Sequence, residues 1–127
     1  DTATLAMTSG TTGSPKNIVC SHYCYTSSFA LRYQLFPPEA SDVAGCNIFF
    51  IWEALRLPCT GLPAFIVSQT DIIDPKSLVR AINTHRVTEI VTTSQLLQNV
   101  LTAAISDLPD QLKHMKRWLL CGEVCPA

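Results

Sequence analysis

Short apolar runs alternate with longer stretches of helical periodicity along nearly the whole chain, and this alternation limits its fold most. Thr4–Thr8 is an apolar run that stops at a Gly/Ser/Thr-rich loop from Ser9 to about Asn17. Ile18–Cys20 extends a second short strand. Ser21 is placed to cap a helix over His22–Leu35, which Pro37 and Pro38 end. Asp42–Asn47 reads as a loop or short strand. Phe49–Leu57 reads as a helix carrying Phe49, Ile51, Trp52 and Leu55 and closed by Pro58, and Gly61 leads into a strand over Ala64–Val67. Asp74 before Pro75 marks a helix start, with Leu78, Val79 and Ile82 at helical spacing up to about His85. Thr88–Val91 is the next strand. Thr92, Thr93 and Ser94 offer caps for a helix bearing Leu96, Leu97, Val100, Leu101, Ala104 and Ile105. Leu108–Asp110 reads as a loop, Trp118–Cys121 as a last strand and Gly122 as a break. Strands and helices taking turns build βαβ units. The expected class is therefore α/β, with a mostly parallel sheet covered by helices.

Composition narrows the function. With 47% of its 127 residues apolar and 15% charged, the chain is rich enough in apolar side chains for a packed core. Nine Lys and Arg against ten Asp and Glu leave a net charge of −1, so no broad positive field exists to draw nucleic acid or anionic lipid. The longest apolar run, Ile48–Trp52, breaks at Glu53, far short of the roughly 18 residues of a membrane span. Neither nucleic acid nor membrane is an expected partner. No positively charged segment followed by an apolar stretch heads the chain, and a cytoplasmic location is expected. The chain opens on Asp1 and closes on Cys125–Ala127, so both ends are expected to be cuts in a longer polypeptide. Cys20, Cys24, Cys46, Cys59, Cys121 and Cys125 are expected to be reduced and mostly buried. Cys20 and Cys24, with His22 between them, and Cys121 with Cys125 have a spacing that zinc ligands also use, but no metal site is expected.

One segment is dense in chemistry. Thr8-Ser9-Gly10-Thr11-Thr12-Gly13-Ser14-Pro15-Lys16 places hydroxyls, two glycines and a lysine in nine residues. Glycines let several backbone N–H groups converge, hydroxyls add donors, and a lysine adds a compact positive charge. Together they suit a polyphosphate. Composition alone fits a surface Ser/Thr/Gly loop equally well, and the spacing is not the G-x-x-x-x-G-K-[ST] of a P-loop NTPase. His85 and His114 have no Ser, Asp or Cys at a suggestive spacing. Lys113, Lys116 and Arg117 read as a solvated helix face.

Thr8–Lys16 resembles the phosphate loop T-S-G-T-T-G-x-P-K-G of the AMP-forming adenylating enzymes: acyl-CoA synthetases, luciferases and the adenylation domains of nonribosomal peptide synthetases. Nine consecutive positions fit, and Asn17 stands where the family has its final Gly. The likeness continues in order. His22 follows the loop, Trp52-Glu53 resembles the Trp-Glu step after the family's Phe-Asp pocket segment, and Asp74-Pro75 through Val91 resembles its helix-then-strand stretch. Cys121-Gly122-Glu123 is similar to its Gly-Gly-Glu turn. The resemblance implies that residues 1–127 are part of the N-terminal lobe of an adenylation domain.

It further implies that Thr8, Ser9, Gly10, Thr11, Thr12, Gly13 and Lys16 bind the phosphates of ATP, with Mg²⁺ held mostly by residues outside this stretch. Ile48, Phe49, Trp52, Val91, Leu119 and Cys121 would line the acid pocket, and Gly122 and Glu123 would lie on the adenine side. Ile48 falls where amino-acid-activating members carry the Asp that pairs with the α-ammonium. An aryl or acyl acid, or a carboxylate whose cation rests on an aromatic face, therefore suits this chain better than a standard amino acid. The implied whole is a carboxylate-activating enzyme that loads a phosphopantetheine-bearing carrier domain, in a nonribosomal-peptide-synthetase-like protein or a carboxylic acid reductase. A stand-alone acyl- or aryl-CoA ligase and a non-catalytic nucleotide-binding remnant are the alternatives. The catalytic set is incomplete within residues 1–127, so this stretch alone is expected to be inactive.

Overall fold

The computed structural model describes residues 1–8, 15–47, 50 and 52–122. They fall into two compact units, 1–37 and 38–127.

In the first unit, β1 (Thr2–Thr8) and β2 (Lys16–Ser21) pair antiparallel, with Leu5 opposite Val19 and Thr8 opposite Lys16. Helix α1 (His22–Leu35) begins where the sequence places it. Ser21 has extended backbone and its Oγ accepts from the Cys24 N–H at 3.2 Å, satisfying one of the free donors of the first turn. The helix stops at Phe36, directly before Pro37, because a residue preceding proline is pushed out of helical geometry. Tyr25, Phe29 and Tyr33 follow one another along one side with tilted rings at 6.5 Å centroid spacings, and the Tyr25 hydroxyl lies 2.6 Å from Thr4 Oγ1 on β1.

The second unit carries a four-stranded sheet: β3 (Ala44–Cys46), β4 (Ala64–Ile66), β5 (Glu89–Thr92) and β6 (Arg117–Leu120). Its order is β4-β3-β5-β6 and every neighbouring pair is parallel. Between the strands run α2 (Glu53–Arg56), α3 (Gln69–Ile73), α4 (Pro75–Thr84), α5 (Ser94–Thr102) and α6 (Leu108–Gln111). The core forms where α4 and α5 meet β5: Leu78, Val79 and Ile82 pack with Val87, Ile90, Leu96 and Val100. The i, i+1, i+4 spacing in α4 puts its three apolar side chains on one face. Asp74 caps α4 through the N–H groups of Lys76 and Ser77, and Thr93 caps α5 through that of Leu96. Gly45 lets β3 approach β5, since a Cβ there would stand 3.0 Å from Val87 Cγ1.

The parallel α/β class is as the alternation predicts, and several boundaries are not. The helix expected over Phe49–Leu57 is in the described residues only the single turn α2. Pro58 does not close it but opens a 3-10 turn, Pro58–Thr60, because proline's fixed φ suits a first helical position. Helix α5 stops at Thr102, since Ala103 is extended, and so excludes Ala104 and Ile105. The expected loop at Leu108–Asp110 is instead helix α6, with Pro109 in its first turn. Helix α3, capped by Ser68, has no counterpart in the sequence reading. The thiols also differ. Of the five described cysteines, all free, only Cys46 is buried, while Cys24, Cys59 and Cys121 are exposed outside the α4–β5–α5 core. Among the described residues no His, Cys, Asp and Glu group could hold a metal ion, and no helix is long and apolar enough to cross a membrane.

Candidate functional site

Thr8 and Lys16 face each other as the last ladder pair of β1 and β2, so the hairpin holds both ends of the phosphate-loop sequence together. Adjacent strands in such a ladder lie about 5 Å apart. Lys16 is exposed and makes no ion pair among the described residues, leaving its ammonium available to an anion. Ser9, Gly10, Thr11, Thr12 and Gly13 lie outside the described residues.

In the second unit, the carboxyl ends of the parallel strands are where an open α/β sheet binds its ligands. Asn47 follows β3, Thr93 and Ser94 follow β5, and Cys121 and Gly122 follow β6. Cys121 donates its N–H to the Thr92 carbonyl at 2.9 Å, which extends the β5–β6 ladder to this edge. Gly122 has φ +88°, and a Cβ on it would meet Phe50 Cζ at 4.0 Å. The Phe50 ring meets Trp52 edge to face, 5.5 Å between centroids at 84°. The structure therefore brings Gly122, Phe50 and the half-buried Trp52 together. Val91 and Leu119 pair across β5 and β6, and Val91 is buried in the sheet. Ile48, Phe49 and Glu123 lie outside the described residues.

Sequence reasoning passes over Phe50, Asn47 and Thr92. Phe50 could have been found as the second half of a Phe-Phe pair two residues before Trp52. Thr92 is fully buried at the end of β5, and its Oγ1 has no hydrogen-bond partner among the described residues. Buried hydroxyls nearly always have a partner, which makes this one an exception at the carboxyl end of β5.

A chain of ion pairs joins α2 to the amino ends of β5 and β6. Arg56 of α2 donates from Nε to Glu53 Oε2 at 3.0 Å and forms an ion pair through Nη2 with Glu89 Oε1, and all three side chains are buried. Glu89 also receives Arg117 Nε at 2.9 Å, and Arg117 Nη2 stands 3.5 Å from Asp42. Lys116 reaches Asp42 at 2.8 Å and Glu39 at 2.7 Å. Lys116 and Arg117 are thus not a solvated helix face but ion-pair partners at the start of β6; Lys113 alone of the three stays well exposed. Burial would raise the Asp42 carboxyl, but the Lys116 ammonium and the Glu39 N–H outweigh it and hold it below its ordinary range. Hydrogen bonds to Asp42 and then Glu39 raise Lys116. Burial first, and then the negative Glu53, push the Cys46 thiol up, so it is a poor nucleophile. Its Sγ lies 3.7 Å from the carbonyls of Asn47 and Phe50, tying the end of β3 to the aromatic pair.

The family profile described as AMP-binding enzyme matches residues 1–127. The chain belongs to that family of AMP-forming, carboxylate-activating enzymes. It is 34% identical over 122 residues to the glycine betaine reductase ATRR of Emericella nidulans, covering 96% of this chain and 10% of that protein. It is 26% identical over 130 residues to a 3-hydroxybenzoate–CoA ligase of Aromatoleum sp. strain CIB, covering 99% of this chain and 25% of the ligase. The o-succinylbenzoate-CoA synthetase of Bacillus subtilis, solved with its acyl-adenylate intermediate, superposes with TM-score 0.76 at 22% identity, over 97% of this chain and 32% of that one. The same enzyme solved with ATP and magnesium gives 0.64 at 22% identity, over 98% and 33%. The fold is that of the N-terminal lobe of adenylating enzymes. The chain spans between a tenth and a quarter of the length of these curated relatives.

Proposed function

We propose that residues 1–127 are the ATP-phosphate-binding and acid-pocket part of an enzyme that converts a carboxylate and ATP into an acyl-adenylate and pyrophosphate. The observation that carries this reading is the phosphate-loop sequence between two paired strands, whose last ladder pair presents Lys16, without an ion pair among the described residues. The chain's groups fit a polyphosphate: donors without carboxylates run from Thr8 to Lys16, closed by one cation. Lys16 and the loop hydroxyls would hold the leaving phosphates in line while the carboxylate oxygen attacks the α-phosphorus. That contribution is positioning and charge stabilisation. Mg²⁺ would neutralise phosphate charge when bound. Gly122, lacking a side chain beside Phe50, would leave room for the adenine and the acyl group. Among the described residues no complete catalytic set is present, so the activity belongs to the longer protein.

For the acid, the reading is a small carboxylate bearing a quaternary ammonium, of which glycine betaine is the simplest. A quaternary nitrogen has no N–H to give, so it needs no Asp at position 48, where this chain has Ile. Aromatic faces such as Phe50 and Trp52 are the usual partners of such a cation. The likeness to a glycine betaine reductase about ten times as long as the matched stretch supports this, and supports a multidomain protein in which a phosphopantetheine arm on a carrier domain takes the acyl group. The second reading, an aryl acid passed to CoA, is favoured by the apolar lining and by the benzoate-ligase likeness. Pyrophosphate exchange by the full-length protein with glycine betaine, 3-hydroxybenzoate and glycine decides. Exchange with glycine betaine is the expected result. Preference for glycine would overturn the assignment of position 48, and preference for 3-hydroxybenzoate would establish the second reading.

A further inference from the structure

At the opposite end of the parallel sheet from the acid pocket, where the chain enters β3, β5 and β6, lies a cleft of about 560 Å³. That is within the roughly 300–1,000 Å³ of small-molecule sites. Its titratable lining is wholly basic: His85 and Arg86 at the end of α4, and Lys113, His114 and Lys116 before β6. Among the described residues no carboxylate lines it. Lys116 is neutralised by Asp42 and Glu39 from outside the cleft. Lys113 has only an exposed pairing with Asp110 at 3.2 Å, of a kind that holds a side chain weakly. Arg86 has no ion pair or side-chain hydrogen bond among the described residues.

The backbone supplies a second observation. Arg86 has φ +52°, the left-handed position that ends α4, fixed by its own N–H to the Asn83 carbonyl and by the Val87 N–H to the Ile82 carbonyl. Glycine or asparagine is the ordinary occupant of such a position, because a larger side chain is strained there. Here an arginine bears the strain, and its guanidinium has no partner among the described residues. Strain retained at a cleft wall points to a ligand. His85, one residue earlier, is held flat against Phe65 with 3.9 Å between ring centroids, so its imidazole is fixed at the cleft rim.

We propose that this cleft is a second anion site, taking a small phosphate-bearing anion and built of residues other than those of the phosphate loop. Arg86 is its principal ligand, with Lys113 and His114 beside it. Arg86→Gly is the informative variant, since glycine relieves the backbone strain while removing the guanidinium. In the full-length protein carrying Lys16→Ala, which disables the phosphate loop, inorganic pyrophosphate is titrated calorimetrically and thermal melting is followed. The expected result is binding that survives Lys16→Ala, weakens about tenfold or more on adding Arg86→Gly, and is accompanied by an unchanged or higher melting temperature. Loss of all binding with Lys16→Ala alone overturns the proposal, as does equal affinity with and without Arg86→Gly. Should Arg86→Gly melt early, Lys113→Met on its exposed side chain carries the test: weakened binding supports the site, and unchanged affinity overturns it.

Discussion

Replacing Arg56 by Met should unfasten α2 from the sheet. Arg56 is 3% exposed and bridges two buried carboxylates, Glu53 and Glu89. The methionine fills similar space but leaves Glu89 with Arg117 as its remaining ion-pair partner and removes a hydrogen bond from Glu53. Taking one member from a buried ion pair costs about 3–5 kcal/mol, because the charge left behind stays out of water. An exposed pair would cost about 1 kcal/mol or less. The two magnitudes are far enough apart to decide which description is right. The assay is hydrogen exchange of the peptide covering residues 87–93 in the full-length protein, for Arg56→Met, Glu89→Gln and the double variant. Removing the carboxylate charge along with the guanidinium should restore part of the loss, with coupling of about 1.5–3 kcal/mol between the two sites. A loss under about 1 kcal/mol for Arg56→Met, or strictly additive single effects, would refute the view that these pairs hold α2 in place.

Other outcomes follow from the same structure. Leu78→Ala, at a fully buried α4 position, should cost about 2–5 kcal/mol in urea unfolding. Gly45→Ala should destabilise by about 1–3 kcal/mol, since its new Cβ has only 3.0 Å to Val87 Cγ1. Asp42 has its carboxyl held below 3.8, so its contribution is whole above that pH and is lost as pH falls through the lowered value. Lys116, raised above 10.5, contributes below that pH and loses its contribution as pH rises through the raised value. Acid unfolding of Asp42→Asn should therefore be less steep below pH 4 than that of the parent. Residues 1–127 expressed alone should give no pyrophosphate exchange, and any exchange above background would contradict the incomplete catalytic set.

Local chemistry made the fold legible where it acts alone. Ser21 and Asp74 announce their helices because an oxygen side chain beside free N–H groups needs no tertiary help. The parallel sheet was legible because short strands such as β5 alternate with helices such as α4, whose apolar residues keep helical spacing. Short elements decided by context were not. Helix α6 is preceded by Asp107 at φ +55°, a conformation its sequence does not advertise. The ion pairs joining Arg56, Glu89 and Arg117 were hidden for another reason. Their members are far apart in sequence, and a charged residue reads as solvent-facing until its partner is placed beside it. The phosphate-loop assignment rests on the sequence of Thr8–Lys16, and the ladder pairing of Thr8 with Lys16 adds what that sequence could not supply, a paired strand at the lysine. Phe50 was missed because an apolar residue in an apolar run looks like core.

The most direct test of ATP use is pyrophosphate exchange by the full-length protein, with its accepted carboxylate, before and after Lys16→Ala. Loss of a charge-stabilising donor at a reacting phosphate predicts a fall of about 100-fold or more. Exchange that proceeds equally well without the Lys16 ammonium would contradict the assignment of this hairpin as the phosphate site.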